Sequence, residues 1–230
     1  MTDEQQPTAV QELRSDPSSR KRFLRNIGGG AAAAGFAAFL AACGDDESSG
    51  GASGSGGAST TSKMASGGRD LEIVNYALTL EYLEADFYRQ VVDSGMVKDR
   101  RIAALATQFG DQEQEHVDAL LATAKKLGKP AQAPKTDFQA VLDGGPTKIL
   151  ETAAAVENLG ASAYLGQAGR IKDKEILAAA LAIHSVEARH AAALNAIAGK
   201  GLKGAIPDGA FAKPMAMDAV LEQVKPFLAA

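Results

Sequence analysis

Two Glu-x-x-His motifs stand in the sequence, and a further glutamate precedes each of them at a similar distance. The six residues are Glu81, Glu113, His116, Glu157, Glu187 and His190. Positions i and i+3 share one face of a helix, so the Glu and His of each motif can bind the same metal ion. A lone Glu from a neighbouring helix adds further oxygen ligands, and two such sets allow a helical bundle to hold two metal ions. The spacing therefore predicts a two-metal site inside a bundle of helices.

An internal duplication supports this prediction. The segment 81–88, EYLEADFY, aligns with 157–164, ENLGASAY, and the segment 101–116 aligns with 175–190. Only a short gap in the intervening loop is needed. Each half of the chain thus carries one glutamate followed by one Glu-x-x-His motif, which makes a chance pair of motifs a poor explanation.

The same alignment ranks two neighbouring glutamates. It places Glu81 opposite Glu157, whereas Glu84 falls opposite Gly160. Glu81 is therefore the predicted ligand. Glu84 is expected to lie beside the ligands and is kept as the alternative ligand candidate.

Three other residues are candidates for supporting the ligands. Tyr88 and Tyr164 each lie two helical turns after a predicted Glu ligand, so their phenols could hydrogen-bond a ligating carboxylate, although buried tyrosines more often fill the core. His184 precedes Glu187 by one turn. It has no counterpart in the first half, so packing or contact with a ligand is favoured over ligation.

The chain around the motifs has a helical period. The predicted ligands lie within apolar stripes, so they are expected to be buried. Burial of a polar group without a hydrogen-bond partner costs on the order of 2–7 kcal/mol, and burial of an unpaired carboxylate costs more. We predict an all-α fold, an antiparallel four-helix bundle of two helical hairpins joined by a long crossover at 128–145. The expected helices are 70–93, 99–127, 145–169 and 173–198, with a short one at 216–226 in a tail, 201–230, that packs back on the bundle.

At this point the chain resembles a known family, the ferritin-like superfamily. The similarity lies in NYALTLEYLEADFY at 75–88, VEARHAAAL at 186–194 and the tail FAKPMAMDAVLEQVKPFL at 211–228. It is greatest to the exported branch, which includes desiccation-related proteins and bacterial lipoproteins. The resemblance implies a carboxylate-bridged pair of iron or manganese ions, with the six residues of the two motif sets as ligands.

The first residues indicate where the protein works. A basic run at 20–25 precedes a Gly/Ala-rich stretch that ends in Leu40-Ala41-Ala42-Cys43. Residues 1–42 are thus predicted to be a signal peptide, and Cys43 the site of lipid attachment. The basic run resembles a twin-arginine export signal with Lys21 in place of one arginine, so the general secretory route stays open as the alternative.

Residues 43–69 are rich in Gly and Ser and are predicted to form a flexible tether for a bundle at 70–200. The protein is therefore expected to be exported and lipid-anchored to the outer face of the cell membrane. The whole chain has a net charge of −4, and no basic patch remains once the predicted signal peptide is removed, which argues against nucleic acid as a partner.

Three functions are consistent with these residues. One is redox chemistry with O₂ or peroxide, and another is binding and oxidation of Fe(II). The third is a structural or stress-protective lipoprotein with a vestigial metal site. Iron and manganese accept the same ligands, so both remain open, whereas storage in a closed cage fits poorly with a tether and anchor on every subunit.

Overall fold

The computed structural model describes residues 59–207 and 209–229, with side chains from residue 68 onward. The helices are α1 (Ser59–Ser94), α2 (Arg100–Leu127), α3 (Gln139–Asp143), α4 (Gly145–Ala168), α5 (Lys174–Asn195), α6 (Gly201–Ala205) and α7 (Met217–Val224). The predicted all-α fold is confirmed, because the described residues contain helices and loops and no strand beyond one isolated bridge. Four long helices, α1, α2, α4 and α5, form the bundle.

Two helical hairpins build the bundle, since α1 packs along α2 and α4 packs along α5. Equivalent residues start the second helix of each hairpin. Asp99 accepts hydrogen bonds from the backbone N–H groups at the start of α2, and Asp173 does the same at the start of α5. An Asp at this position satisfies N–H groups that have no partner within the helix, and contributes about 1 kcal/mol. The internal duplication is therefore visible in the caps as well as in the motifs.

The crossover between the hairpins is fixed to α1. The side chain of Asn75 donates a hydrogen bond to the carbonyl of Lys129 and accepts one from the N–H of Ala131. Further along, Phe138 is fully buried at the start of the short helix α3. The crossover therefore packs along the bundle and contributes to its core.

The tail packs back on the bundle, as predicted. Val220 and Val224 of α7 are buried in the core, and the N–H of Met215 donates a hydrogen bond to the carbonyl of Ser162 in α4. A Cβ at Gly166 would collide with the carbonyl of Met215, so only glycine permits this close approach. The tail and the crossover therefore close one side of the bundle.

Two helix boundaries differ from the prediction. The first helix was expected from residue 70, after a flexible tether, but α1 begins at Ser59, so 59–69 continue the helix. Once a helix is nucleated and packed, each further residue that becomes helical adds one hydrogen bond, so extension is much easier than nucleation. At the other end, α5 stops at Asn195 and a π-helical turn with a kink at Gly199, where φ is +84°, replaces the predicted continuation to 198.

The predicted signal peptide, Cys43 and the first part of the predicted tether lie outside the described residues. Within the described ranges, none of the helices combines the length and the apolar character needed to cross a bilayer.

Candidate metal centre

All four long helices contribute to one polar layer inside the bundle. Its members are Glu81 from α1, Glu113 and His116 from α2, Glu157 from α4, and Glu187 and His190 from α5. The four glutamates are fully buried, with 0% of each residue exposed. The structure thus brings together every residue that the two motif sets predicted.

The polar layer is enclosed by apolar packing on both sides along the bundle axis. Phe87 and Phe109 belong to one buried cluster, and Leu78 and Val117 belong to the other. In α1 and α2 the ligand candidates lie between these residues in sequence, so each helix passes from one cluster through the polar layer into the other. The layer is therefore shielded from water, which strengthens every charge interaction within it.

His116 presents one ring nitrogen to three carboxylates. Its Nδ1 lies 2.8 Å from Glu113 Oε2, 3.2 Å from Glu81 Oε2 and 3.3 Å from Glu187 Oε1. A single N–H can donate to one acceptor, or be shared weakly between two. The convergence of three carboxylates on one nitrogen is therefore better explained by a cation that all four groups bind.

His190 has a similar environment with a fixed orientation. Its Nδ1 lies 2.8 Å from Glu113 Oε1 and 3.2 Å from Glu157 Oε2. Its Nε2 lies 2.7 Å from Gln112 Oε1, and its ring stacks on Phe109 with centroids 3.9 Å apart. An amide oxygen accepts the Nε2 proton, so in the neutral imidazole Nδ1 carries no proton and faces the carboxylates as a ligand would.

Two overlapping groups of donors share two glutamates. One group contains Glu81, Glu113, His116 and Glu187, and the other contains Glu113, Glu157, Glu187 and His190; within each, one atom from every residue lies within 4.8 Å of the rest. Glu113 faces His116 with Oε2 and His190 with Oε1. This arrangement suits a carboxylate that bridges two cations, with Glu81 and Glu157 as terminal ligands.

Several buried oxygens in the layer lack a hydrogen bond. Glu113 Oε1 and both carboxylate oxygens of Glu187 have no hydrogen-bond partner among the described residues. Glu113 Oε1 and Glu187 Oε1 lie within ion-pair distance of a histidine, but not at hydrogen-bonding angles. An unpaired buried carboxylate is costly, so these oxygens fit the coordination of metal ions.

The electrostatics show a surplus of negative charge. Burial raises the pKa of Glu81 to about 7, and burial together with neighbouring carboxylates raises the pKa of Glu187 well above its usual range. Glu113 is the exception: although burial opposes ionisation, the close contacts with His116 and His190 lower its pKa to about 2. The raised pKa values mean that the layer lacks positive charge to balance its carboxylates. Divalent cations would supply that charge and displace the retained protons.

The histidines respond to the same carboxylates. Burial lowers the pKa of His190, but contacts with Glu113 and Glu157 outweigh it and raise this pKa to about 9. For His116, burial is likewise opposed by Glu81 and Glu113, and the pKa is raised. Without metal ions, protons on the imidazoles therefore take the place of part of the missing positive charge.

Both candidate tyrosines contact a glutamate, and each does so across the two hairpins. Tyr88 donates its O–H to Glu157 Oε1 at 2.5 Å, and Tyr164 donates to Glu81 Oε1 at 2.5 Å. Each hydrogen bond leaves the second oxygen of the carboxylate facing a histidine. The tyrosines therefore orient the two terminal glutamates.

The two remaining sequence candidates differ in position. Glu84 is buried beside the polar layer, and its pKa is raised well above its usual range by burial and by Glu187. His184 instead lies 2.9 Å, through Nδ1, from the carbonyl of Ala161 in the neighbouring helix. Of the two roles expected for His184, packing or contact with a ligand, the structure shows a packing contact between α4 and α5.

An apolar cavity of about 280 Å³ adjoins the polar layer at one end of the bundle. Its wall includes Tyr88, which holds Glu157, and Phe109, which stacks on His190. Leu105, Ile102 and other apolar side chains line the rest, and Lys98 and Asp99 lie at its edge. The cavity is large enough for a small neutral molecule to come close to the candidate site.

Sequence reasoning missed Gln112. It precedes the ligand candidate Glu113, and the duplication offers no signal for it, because Val186 occupies the matching position before Glu187. Only the packing of α2 against α5 shows that its amide reaches the second histidine.

Comparison with known families supports the architecture. A family model described as a ferritin-like domain matches residues 69–200, a range that contains all six ligand candidates. A search of curated proteins found no match.

Proposed function

Because this chain belongs to the ferritin-like domain family, we propose that it binds a carboxylate-bridged pair of iron or manganese ions and uses them in redox chemistry. The observation that carries the proposal is the sharing of Glu113 and Glu187 by two groups of buried donors. A single-metal site needs no shared carboxylates. The two overlapping groups each contain one histidine and three glutamates. Together they supply the ligands for two ions, one ion per group.

Charge balance supports the occupancy. In the described part of the chain, the ion pairs of the four glutamates are all with His116 and His190. No lysine or arginine compensates these carboxylates there, and burial makes an uncompensated charge expensive. Two divalent cations would balance four carboxylates and leave both imidazoles neutral, which is the form that binds metal.

The protein surroundings suit reactions with a small oxidant. Bound iron or manganese would supply one-electron steps and accept O₂ or peroxide as a ligand. Phe109 and Tyr88 lie between the polar layer and the adjoining apolar cavity, which offers room for O₂ close to the site. Tyr88 and Tyr164 hold the terminal glutamates in position while the charge on the site changes.

Oxidation of Fe(II) itself is the second candidate, and the same geometry supports it. In that case Fe(II) is the substrate rather than a resident ion. A third candidate, a stress-protective protein with a vestigial site, is disfavoured by the intact donor set and by the unpaired oxygens of Glu113 and Glu187.

We further propose that the protein is exported and attached to the membrane through lipid on Cys43. The support is the sequence alone, with small residues before Cys43 after a basic and apolar leader. The partner would be the lipid of the outer face of the cell membrane, and the redox substrate would reach the protein from outside the cytoplasm.

Metal analysis of the purified protein tests the proposal directly. The chain is produced in its native host, and bound metals are counted by elemental analysis beside the variant Glu187→Gln. We expect about two iron or manganese ions per wild-type chain and a clear loss in the variant, because Glu187 belongs to both donor groups. An equal, low metal content in both proteins would contradict the proposal. Oxygen consumption with Fe(II), compared with peroxide removal, then separates the two redox functions.

A further inference from the structure

Glu84 is a buried carboxylate without a compensating charge. It is 3% exposed, and its Oε2 has no hydrogen-bond partner in the part of the chain that the structure describes. The charged groups that act on it are carboxylates of the polar layer: Glu187 most strongly, then Glu81, Glu157 and Glu113. An ionised glutamate placed among four others is destabilising unless a cation is shared with them.

Gly160 creates the space that Glu84 uses. A Cβ built on Gly160 would lie 3.0 Å from Glu84 Oε1 and would collide with Glu187 Oε2. The two carboxylates therefore converge on the same small volume beside α4, where any larger residue would push them apart. In the duplicated halves Gly160 is the counterpart of Glu84, so one half supplies the carboxylate and the other supplies the room for it.

From this geometry we propose that Glu84 is a fifth carboxylate of the metal centre, which binds one ion of the metal pair beside Glu187 and so makes the two metal positions unequal. The inference rests on the proposed function, since it requires a metal pair. The other four glutamates and two histidines divide evenly, because each of the two overlapping groups contains three glutamates and one histidine. Glu84 breaks this symmetry, because the matching position in the second half has no side chain.

The inequality has a chemical consequence. Four carboxylates balance two divalent ions, so a fifth adds one negative charge that favours tighter binding at the position it reaches. Carboxylate oxygens are ligands that suit manganese. We therefore expect two binding steps of different affinity, with the stronger step dependent on Glu84.

Titration of the metal-free full-length protein with Mn(II), followed by calorimetry and by the electron paramagnetic resonance signal of free Mn(II), tests this. Wild type should show two ions bound with distinct affinities. Glu84→Gln should still bind two ions at saturation, but the tighter step should weaken by at least about 10-fold. The matched control Glu115→Gln removes the same charge from an exposed position of α2 and should leave both steps unchanged.

A second measurement separates coordination from packing. The thermal midpoint of the metal-free Glu84→Gln protein should equal or exceed that of wild type, because the change removes a buried carboxyl group that is crowded by other carboxylates. Its rise on addition of Mn(II) should be smaller than that of wild type. If the Glu84→Gln protein does not fold, Glu84→Met, whose side chain has a similar volume to that of glutamate, is used instead in both measurements.

The outcomes are distinct. Unchanged Mn(II) affinities in the Glu84 variant would overturn the inference while leaving the metal pair in place. A metal-free variant that is strongly destabilised, with unchanged affinities once bound, would assign Glu84 to packing and also overturn it. Failure of wild type to bind two Mn(II) or Fe(II) ions would instead overturn the proposed function.

Discussion

The phenol of Tyr88, in the first hairpin, donates a 2.5 Å hydrogen bond to Glu157 of the second hairpin. Tyr164 makes the reciprocal bond to Glu81. Each hairpin thus orients the terminal glutamate of the other. The site depends on how the hairpins dock, because neither hairpin alone holds both a terminal glutamate and its tyrosine.

Removal of either phenol should weaken metal binding. Tyr88→Phe and Tyr164→Phe should each lower Mn(II) affinity by about 10–100-fold, since a carboxylate that loses its supporting hydrogen bond is less well oriented. Calorimetric titration measures the change. Tyr76→Phe is the matched control: Tyr76 is also buried, but its hydroxyl has no hydrogen-bond partner among the described residues, so affinity should not change. Equal losses in all three variants would argue against orientation by Tyr88 and Tyr164.

The three histidines should separate into two classes. His116→Ala and His190→Ala should each reduce bound metal substantially, because each removes a nitrogen that faces the shared carboxylates. His184→Ala should retain close to two metal ions, since its ring contacts a backbone carbonyl away from the site. Elemental analysis of the purified variants measures the difference. A loss in His184→Ala as large as in the other two would refute the ligand assignment.

Filling the apolar cavity should slow the reaction without removing the metals. Leu105→Trp places a large ring in the cavity of about 280 Å³ that adjoins Phe109. We expect unchanged metal content and several-fold slower oxygen consumption with Fe(II), because access is restricted while the ligands stay. Leu181→Trp, at an exposed position of α5, is the control and should behave as wild type. Wild-type rates in Leu105→Trp would mean that O₂ enters elsewhere.

The metal-free protein should lose stability as pH rises. The pKa of Glu81 is raised to about 7 by burial, so its contribution is present below about 4.5 and is lost as pH rises through 7. The pKa of His190 is raised to about 9, so its contribution is present below about 6.5 and is lost as pH rises through 9. Thermal unfolding of chelated protein between pH 5 and pH 9 should show a falling midpoint. Mn(II) should stabilise more at pH 9 than at pH 5, because metal displaces protons; a rising midpoint without metal would contradict this account.

Lipid attachment is predicted from the leader alone. Cys43→Ser should leave an unprocessed precursor and abolish incorporation of labelled fatty acid, because the thiol is the predicted acceptor. Ser48→Ala, close by in the sequence, is the control and should be labelled normally. Labelled lipid on the Cys43→Ser protein would place the anchor elsewhere.

The sequence by itself determined the fold class and the ligand candidates, because both follow from local periodicity. A residue at i and another at i+3 share a helix face wherever the helix lies, so Glu113 and His116 could be paired without knowledge of their neighbours. The internal duplication extended the same reasoning to the second hairpin. Helix boundaries were less well determined: the segment 59–68 contains several glycines and serines that suggest a tether, yet it continues α1.

Tertiary structure decided which groups meet across the hairpins. The tyrosines could be placed near the site from the sequence, but not assigned to the opposite glutamate, since that depends on how the hairpins dock. Gln112 and Glu84 have no counterpart in the duplicated half, so the pattern offered no signal for the first and ranked the second low. The contact of Gln112 with His190, and the burial of Glu84 beside Glu187, come from the approach of one helix face to another, which local sequence patterns do not determine.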